Sequence, residues 1–330
     1  MRYFQLILVS FLLYVNTSMA APYLQKGDVL FDPVFSMNKI GSDETLRELA
    51  EKGNPDALYW YATSLESKNI IKHAESYNYY KKAAEMGNPY AMLRISGEVG
   101  RSKYDCEIIG WPCNSEWEGK AIDKLIELKD QGDVKAYYYY NKYSGTIFSL
   151  LNPFGDHMTE EEMIVYAAER EYYTPLISYI SRRTKTPEKV SDEMISVLDK
   201  AASKGFSPAL YFRGDSFSRG LSYESKIELL KKAAHNGYIP SYGTISYLAR
   251  KQSNDYITAY TYLYLEYLVT GQKSANLNSK DSYLYKFSSL SEIEIKEAIE
   301  KAEELYKNVE PEIYFDEGNF FYSSGMAIYR

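Results

Sequence analysis

Apolar residues return along most of this chain at helical spacing. Ala57, Tyr61 and Leu65 fall on one face of a helix, and Tyr79, Tyr80, Ala83 and Ala84 on a second, facing one. Ile227, Leu230, Ala233 and Ala234 repeat that second pattern 150 residues later. Steps of three and four predict amphipathic helices, none of which can bury its stripe alone. A recurring phrase punctuates them: Ala50 to Ala57 around Gly53, Ala84 to Ala91 around Gly87, Ala202 to Ala209 around Gly205, and Ala234 to Ser241 around Gly237. Two weaker copies lie at Lys129 to Ala136 around Gly132, and at Ala168 to Pro175, where Glu171 stands in place of glycine.

The turn positions 53, 87, 132, 171, 205 and 237 are separated by 34, 45, 39, 34 and 32 residues. A period in the thirties predicts stacked helical hairpins. Glycine adopts the left-handed conformation that ends a helix. Asn54, Asn88 or Ser207 can then cap the next helix, and Pro55, Pro89 and Pro208 suit its first turn. Small Ala57, Ala91, Ala136 and Ala209 let two helices approach closely.

The strings Tyr80-Lys81-Lys82-Ala83-Ala84-Glu85-Met86-Gly87-Asn88-Pro89-Tyr90-Ala91 and Leu230-Lys231-Lys232-Ala233-Ala234-His235-Asn236-Gly237 resemble the Sel-one-like repeat, a relative of the tetratricopeptide repeat. The resemblance covers residues 42–272 and weakens at Glu171 and Pro175. It implies an all-α fold, a right-handed superhelix (α-solenoid) of about six antiparallel hairpins. It also implies that the first helix of each pair lines a concave groove. Counting two and six residues on from each packed Ala or Ser selects Tyr59, Thr63, Leu93, Tyr138, Lys142, Tyr211, Asp215, Gly243 and Tyr247. Tyr59, Tyr138, Tyr211 and Tyr247 would then form an aromatic ladder; the alternative is that they pack against neighbouring helices. Ser291 and Glu294 form a capping box that opens a closing helix to Lys307, after a loop from residue 273. Residues 309–330 form an aromatic tail, read either as a cap or as a short hairpin.

The first twenty residues read as a secretory signal. Arg2 precedes an apolar run of about 12 residues, short of the roughly 20 needed to span a bilayer, and Ser18 and Ala20 are small residues that place cleavage after Ala20. Residues 21–41 form an extended segment. No cysteine follows the cut, so a lipid anchor is not expected, and the mature chain is expected in the periplasm or medium without stable membrane insertion. The net charge of −7 becomes −8 without Arg2, which disfavours nucleic acid as a partner.

Cys106 and Cys113 fall in residues 101–115, an insertion that lengthens one period by about ten residues. In an oxidising compartment they predict a disulfide-pinned projecting loop. Trp111 and Trp117 accompany it, either on a binding face or covering a helix end.

A catalytic constellation is not legible, and no metal or cofactor is expected. His73, His157 and His235 have no His or Cys partner at ligand spacing. Glu160, Glu161 and Glu162 follow Thr159 as acids do in a helix's first turn. Tyrosine is abundant, with 35 copies in 330 residues, and the run Tyr137 to Tyr140 points around a whole helix, so some of these rings must face solvent or a partner. The resemblance implies a protein-binding role, as adaptor, host-protein binder or immunity protein against a toxin. The alternative is a cell-envelope hydrolase, acting on cell wall or β-lactams, built on His157 or Glu160 to Glu162.

Overall fold

The computed structural model describes residues 42–66, 70–97, 105–151, 158–270 and 290–310. The expected signal, the N-terminal segment, residues 101–104 of the insertion, His157, the loop at residues 273–289 and residues 311–330 of the aromatic tail lie outside these residues. The described chain is helical: α1 (Ser42–Glu51), α2 (Pro55–Glu66), α3 (Ile70–Glu85), α4 (Pro89–Ser96), α5 (Glu116–Asp130), α6 (Val134–Leu151), α7 (Glu160–Glu169), α8 (Thr174–Ser181), α9 (Asp192–Ser203), α10 (Ser207–Gly214), α11 (Tyr223–His235), α12 (Pro240–Gln252), α13 (Tyr256–Thr270) and α14 (Glu292–Tyr306). No described helix is long and apolar enough to cross a membrane.

Helices pack mainly on their neighbours in sequence, and α7 meets α9 and α8 meets α10 across one intervening helix. That is the connectivity of a one-dimensional stack, in which each hairpin completes its core against the next. Even-numbered helices from α2 to α12 are the first members of the pairs and odd-numbered ones the second. The core runs along the stack, with Trp60, Tyr80, Tyr179 and Tyr242 almost fully buried. Burying a tyrosine requires a partner for its hydroxyl. Tyr242 donates to the Ala234 carbonyl at 2.7 Å, and the Tyr80 hydroxyl lies 3.0 Å from Thr63 Oγ1.

The turns follow the chemistry of the phrase. Gly53, Gly87, Gly132, Gly205 and Gly237 all have φ between 73° and 93°. Asn54 Oδ1 accepts from the Ala57 amide at 2.9 Å, Asn88 Oδ1 from Ala91 at 2.9 Å, and Asp133 Oδ1 from Ala136 at 2.7 Å. Ser207 departs from its expected role as a cap. It is the first residue of α10, and its Oγ accepts from Asn236 Nδ2 at 2.8 Å. One turn is thereby tied to the next along the stack.

Glu171 makes the same turn without glycine. Its amide donates to Ala168 O at 3.1 Å and that of Tyr172 to Ala167 O at 3.0 Å, as Gly87 and Asn88 donate to Ala84 and Ala83. Its φ of 67° places a β-carbon in the left-handed region, at a cost of about 1–2 kcal/mol. Glu171→Gly is therefore expected to raise stability by about 0.5–1 kcal/mol, net of glycine's greater freedom in the unfolded chain. The lost contact to Lys204, 2.6 Å and solvent-exposed, counts for little. A denaturant midpoint at or below wild type would contradict this.

Candidate functional site

Two regions carry groups beyond simple packing. The first surrounds the insertion. Cys106 and Cys113 form a disulfide with a Cα–Cα distance of 5.8 Å. In the described part of the loop between α4 and α5, residues 105–115, two side chains turn inward while Ile108 and Pro112 stay exposed. Asp105, in a short π-helical turn (Asp105–Ile109), is fully buried, and Trp111 is only 5% exposed. The cause is Arg94, the lone cation in an otherwise apolar α4. Its guanidinium bridges Glu66 at the end of α2, 2.7 Å away, and Asp105 in the loop. It also lies 4.6 Å from the Trp111 ring centre and 5.6 Å from that of Tyr80. His73 Nε2 is 2.9 Å from Asp105 Oδ1, and the Tyr77 hydroxyl donates to Pro112 O at 2.9 Å. Gly97, with φ 87°, seats the loop: a β-carbon there would lie 3.2 Å from Cys106 Sγ.

Burial pushes the Asp105 carboxyl up, but the His73 ring and the Arg94 guanidinium outweigh that and hold it below the ordinary carboxylate range. Burial likewise opposes the charge on Arg94, while Glu66, Tyr80 and Asp105 keep it protonated. Glu66, His73 and Asp105 bring ligand atoms within 4.8 Å of one another. Arg94 already meets both carboxylates there, and its charge would repel a metal ion at that place. What the group does is fasten a loop. Trp111 is spent on this contact and not presented to a partner; Trp117 is half-buried, with Lys120 Nζ 4.7 Å over its ring.

The second region is the face of the first helices. Thr63, Leu93 and Tyr138 are buried, so they leave the set expected to line a groove. Tyr59 is half-buried among Trp60, Tyr80 and Tyr90, with ring centres 5.0, 5.6 and 6.3 Å away. Tyr90 in turn meets Tyr139 at 4.9 Å, so aromatic packing links α2, α4 and α6. The tyrosine run is absorbed similarly: Tyr137 stacks on Tyr166 at 4.3 Å, and Lys129 Nζ sits 5.4 Å over Tyr140. Lys142 is exposed, its ammonium 5.7 Å from the Tyr138 ring. The continuous ladder expected from sequence is interrupted, because its N-terminal members pack between helices. Toward the C-terminus the face opens. Tyr211 and Asp215 are half-buried, and Tyr247 is 51% exposed.

The acids considered for a hydrolase are engaged elsewhere. Glu160 pairs with Arg182 at 3.1 Å. Glu161 accepts from Tyr179 and, at 3.1 Å, from Ser191. Glu162 closes the capping box with Thr159. Together they hold α7 to α8 and to the start of α9.

This architecture is that of a helical-hairpin repeat protein. Among solved structures it is similar to a protective antigen of uropathogenic Escherichia coli strains that displays an SLR fold. That match has 16% identity and a TM-score of 0.41, over 81% of this chain and 56% of that one. The chain thus spans little more than half the length of that neighbour. It is similar also to a Sel1 repeat protein from Oxalobacter formigenes, at 14% identity and a TM-score of 0.35, over 90% of this chain and 95% of that one. No protein-family model matches the chain, and no curated protein matches it.

Proposed function

We propose that this chain is an exported binding protein that holds another protein on the face of its first helices, in an adaptor or immunity role. One observation carries the reading: from α8 to the first turns of α12, the first and second helices differ in surface chemistry. On α8, α10 and the first two turns of α12 the residues reaching the surface include Thr174, Ser178, Ser181, Tyr211, Thr244 and Tyr247. Arg213, the one charged residue in these segments, is bonded to Asp199 of α9. The second helices instead expose Asp192, Glu193, Asp199 and Lys200 on α9, and Glu224, Glu228, Lys231 and Lys232 on α11. Exposed charges keep a surface solvated, whereas tyrosine with small polar residues is the composition of protein-binding surfaces.

Export rests on the signal-like first twenty residues and fits the disulfide. The reading is tested by a pull-down from envelope extract with tagged protein and a Tyr211→Ala/Tyr247→Ala variant of unchanged helix content. One stoichiometric protein held by wild type and lost from the variant is expected. A partner retained undiminished by the variant sinks the assignment to this face.

A further inference from the structure

Glu266 of α13 is a half-buried carboxylate. No Lys, Arg or His among the described residues pairs with it, and burial pushes its carboxyl up from the ordinary range. It faces Gly243 of α12. A β-carbon on Gly243 would meet Glu266 Oε2 at 3.9 Å and nothing closer. The contrast with Gly214 is informative. There a β-carbon would come within 2.7 Å of Leu230 Cγ and 3.0 Å of the Lys226 carbonyl, so close packing between α10 and α11 demands glycine. Nothing packs on Gly243. A glycine inside a helix costs about 0.5–1 kcal/mol relative to alanine, and here it leaves open space beside a carboxylate.

The surroundings suit a positive side chain. Tyr247 lies one helical turn on from Gly243, on the same side of α12, and is exposed. Tyr211 of α10 has Thr244 and the charge of Asp215 near its hydroxyl. Aromatic faces beside a carboxylate attract a guanidinium or ammonium through both the ring quadrupole and direct charge.

We infer that Tyr211, Gly243, Thr244, Tyr247 and Glu266 form a docking point for an arginine or lysine side chain of the protein partner. This rests on the first-helix face being the binding surface, and it names the chemistry that the surface selects. An arginine entering beside Gly243 supplies the charge that Glu266 lacks.

The test is selection of random peptides displayed on phage against wild type, Glu266→Gln and Tyr247→Ala. Wild type is expected to enrich peptides sharing one arginine or lysine. The synthetic peptide should bind Glu266→Gln about 10–100-fold more weakly, the worth of a hydrogen bond to a charged group, and the same peptide with citrulline at that position should be weakened alike. Enrichment lost in Tyr247→Ala but undiminished in Glu266→Gln, or peptides without a basic residue, overturns the cation inference and leaves the surface reading standing. Enrichment that survives Tyr247→Ala unchanged sinks the surface reading as well. Absence of any enriched peptide on folded wild type overturns the docking point. A second readout needs no ligand. Glu266→Gln should be at least as stable as wild type at pH 7, because it removes a partly buried charge with no partner. A less stable variant would mean that the protein already supplies the cation, and would overturn the proposal.

Discussion

Arg94→Leu is expected to destabilise the chain by about 3–5 kcal/mol, because it strands two buried carboxylates without their cation. The Glu66 and Asp105 side chains are 7% and 0% exposed, so water cannot take over the role of the guanidinium. The loss should appear as a lower denaturant midpoint and as exposure of Trp111, whose ring loses the group it stacks on. Arg94→Lys keeps the charge but not the flat, forked geometry, and should fall between leucine and wild type. The same network sets an acid limit. The Asp105 carboxyl is held below its unfolded value, so its contribution is present above the ordinary carboxylate range and is lost as pH falls through the depressed value. Asp105→Asn should flatten that part of the pH–stability curve. An Arg94→Leu midpoint within error of wild type would show that the cluster holds nothing together.

The second large effect is removal of the disulfide. The two cysteines are seven residues apart, and closing so short a loop stabilises by about 2–3 kcal/mol on the chain-entropy estimate. Cys106→Ser/Cys113→Ser should lose about that amount, and so should the reduced wild type. The bond and the Arg94 cluster restrain one and the same loop, Asp105 being the neighbour of Cys106. The two losses should therefore not add: once either restraint is gone, the other has less native structure left to protect. A combined variant losing the full sum would show that the restraints act on separate structure.

These two effects also mark where sequence reasoning reached and where it stopped. The hairpins, their glycine turns and the Asn54 and Asn88 caps were legible because each is specified within eight or so residues, by local backbone chemistry. The capping box at Ser291 and the helix start after Thr159 were legible for the same reason. The left-handed turn at Glu171 was not, since nothing in a glutamate announces a positive φ; only its place in the phrase did. The Arg94 cluster was missed because its members lie far apart in sequence, on α2, α3, α4 and the insertion. One signal was available: a single arginine inside the apolar string Pro89 to Ser96 needs a buried acid, and Asp105 beside a cysteine was a candidate for it. For the groove, exposure was the part that sequence could not supply. Counting from the packed alanines names positions on the first helices, but it cannot tell an open position from one covered by a neighbouring helix. That is why Thr63, Leu93 and Tyr138 are buried while Tyr247 is open.

The central claim is that the partner sits on the first-helix face. The most direct test extends the pull-down by placing a photo-crosslinking phenylalanine analogue at Tyr247 on α12 or, in a second chain, at Lys231 on the exposed side of α11. Illumination in envelope extract is predicted to give one discrete adduct from position 247 and none from 231. The same adduct from 231 but not from 247 would contradict the account and move the binding site to the second helices.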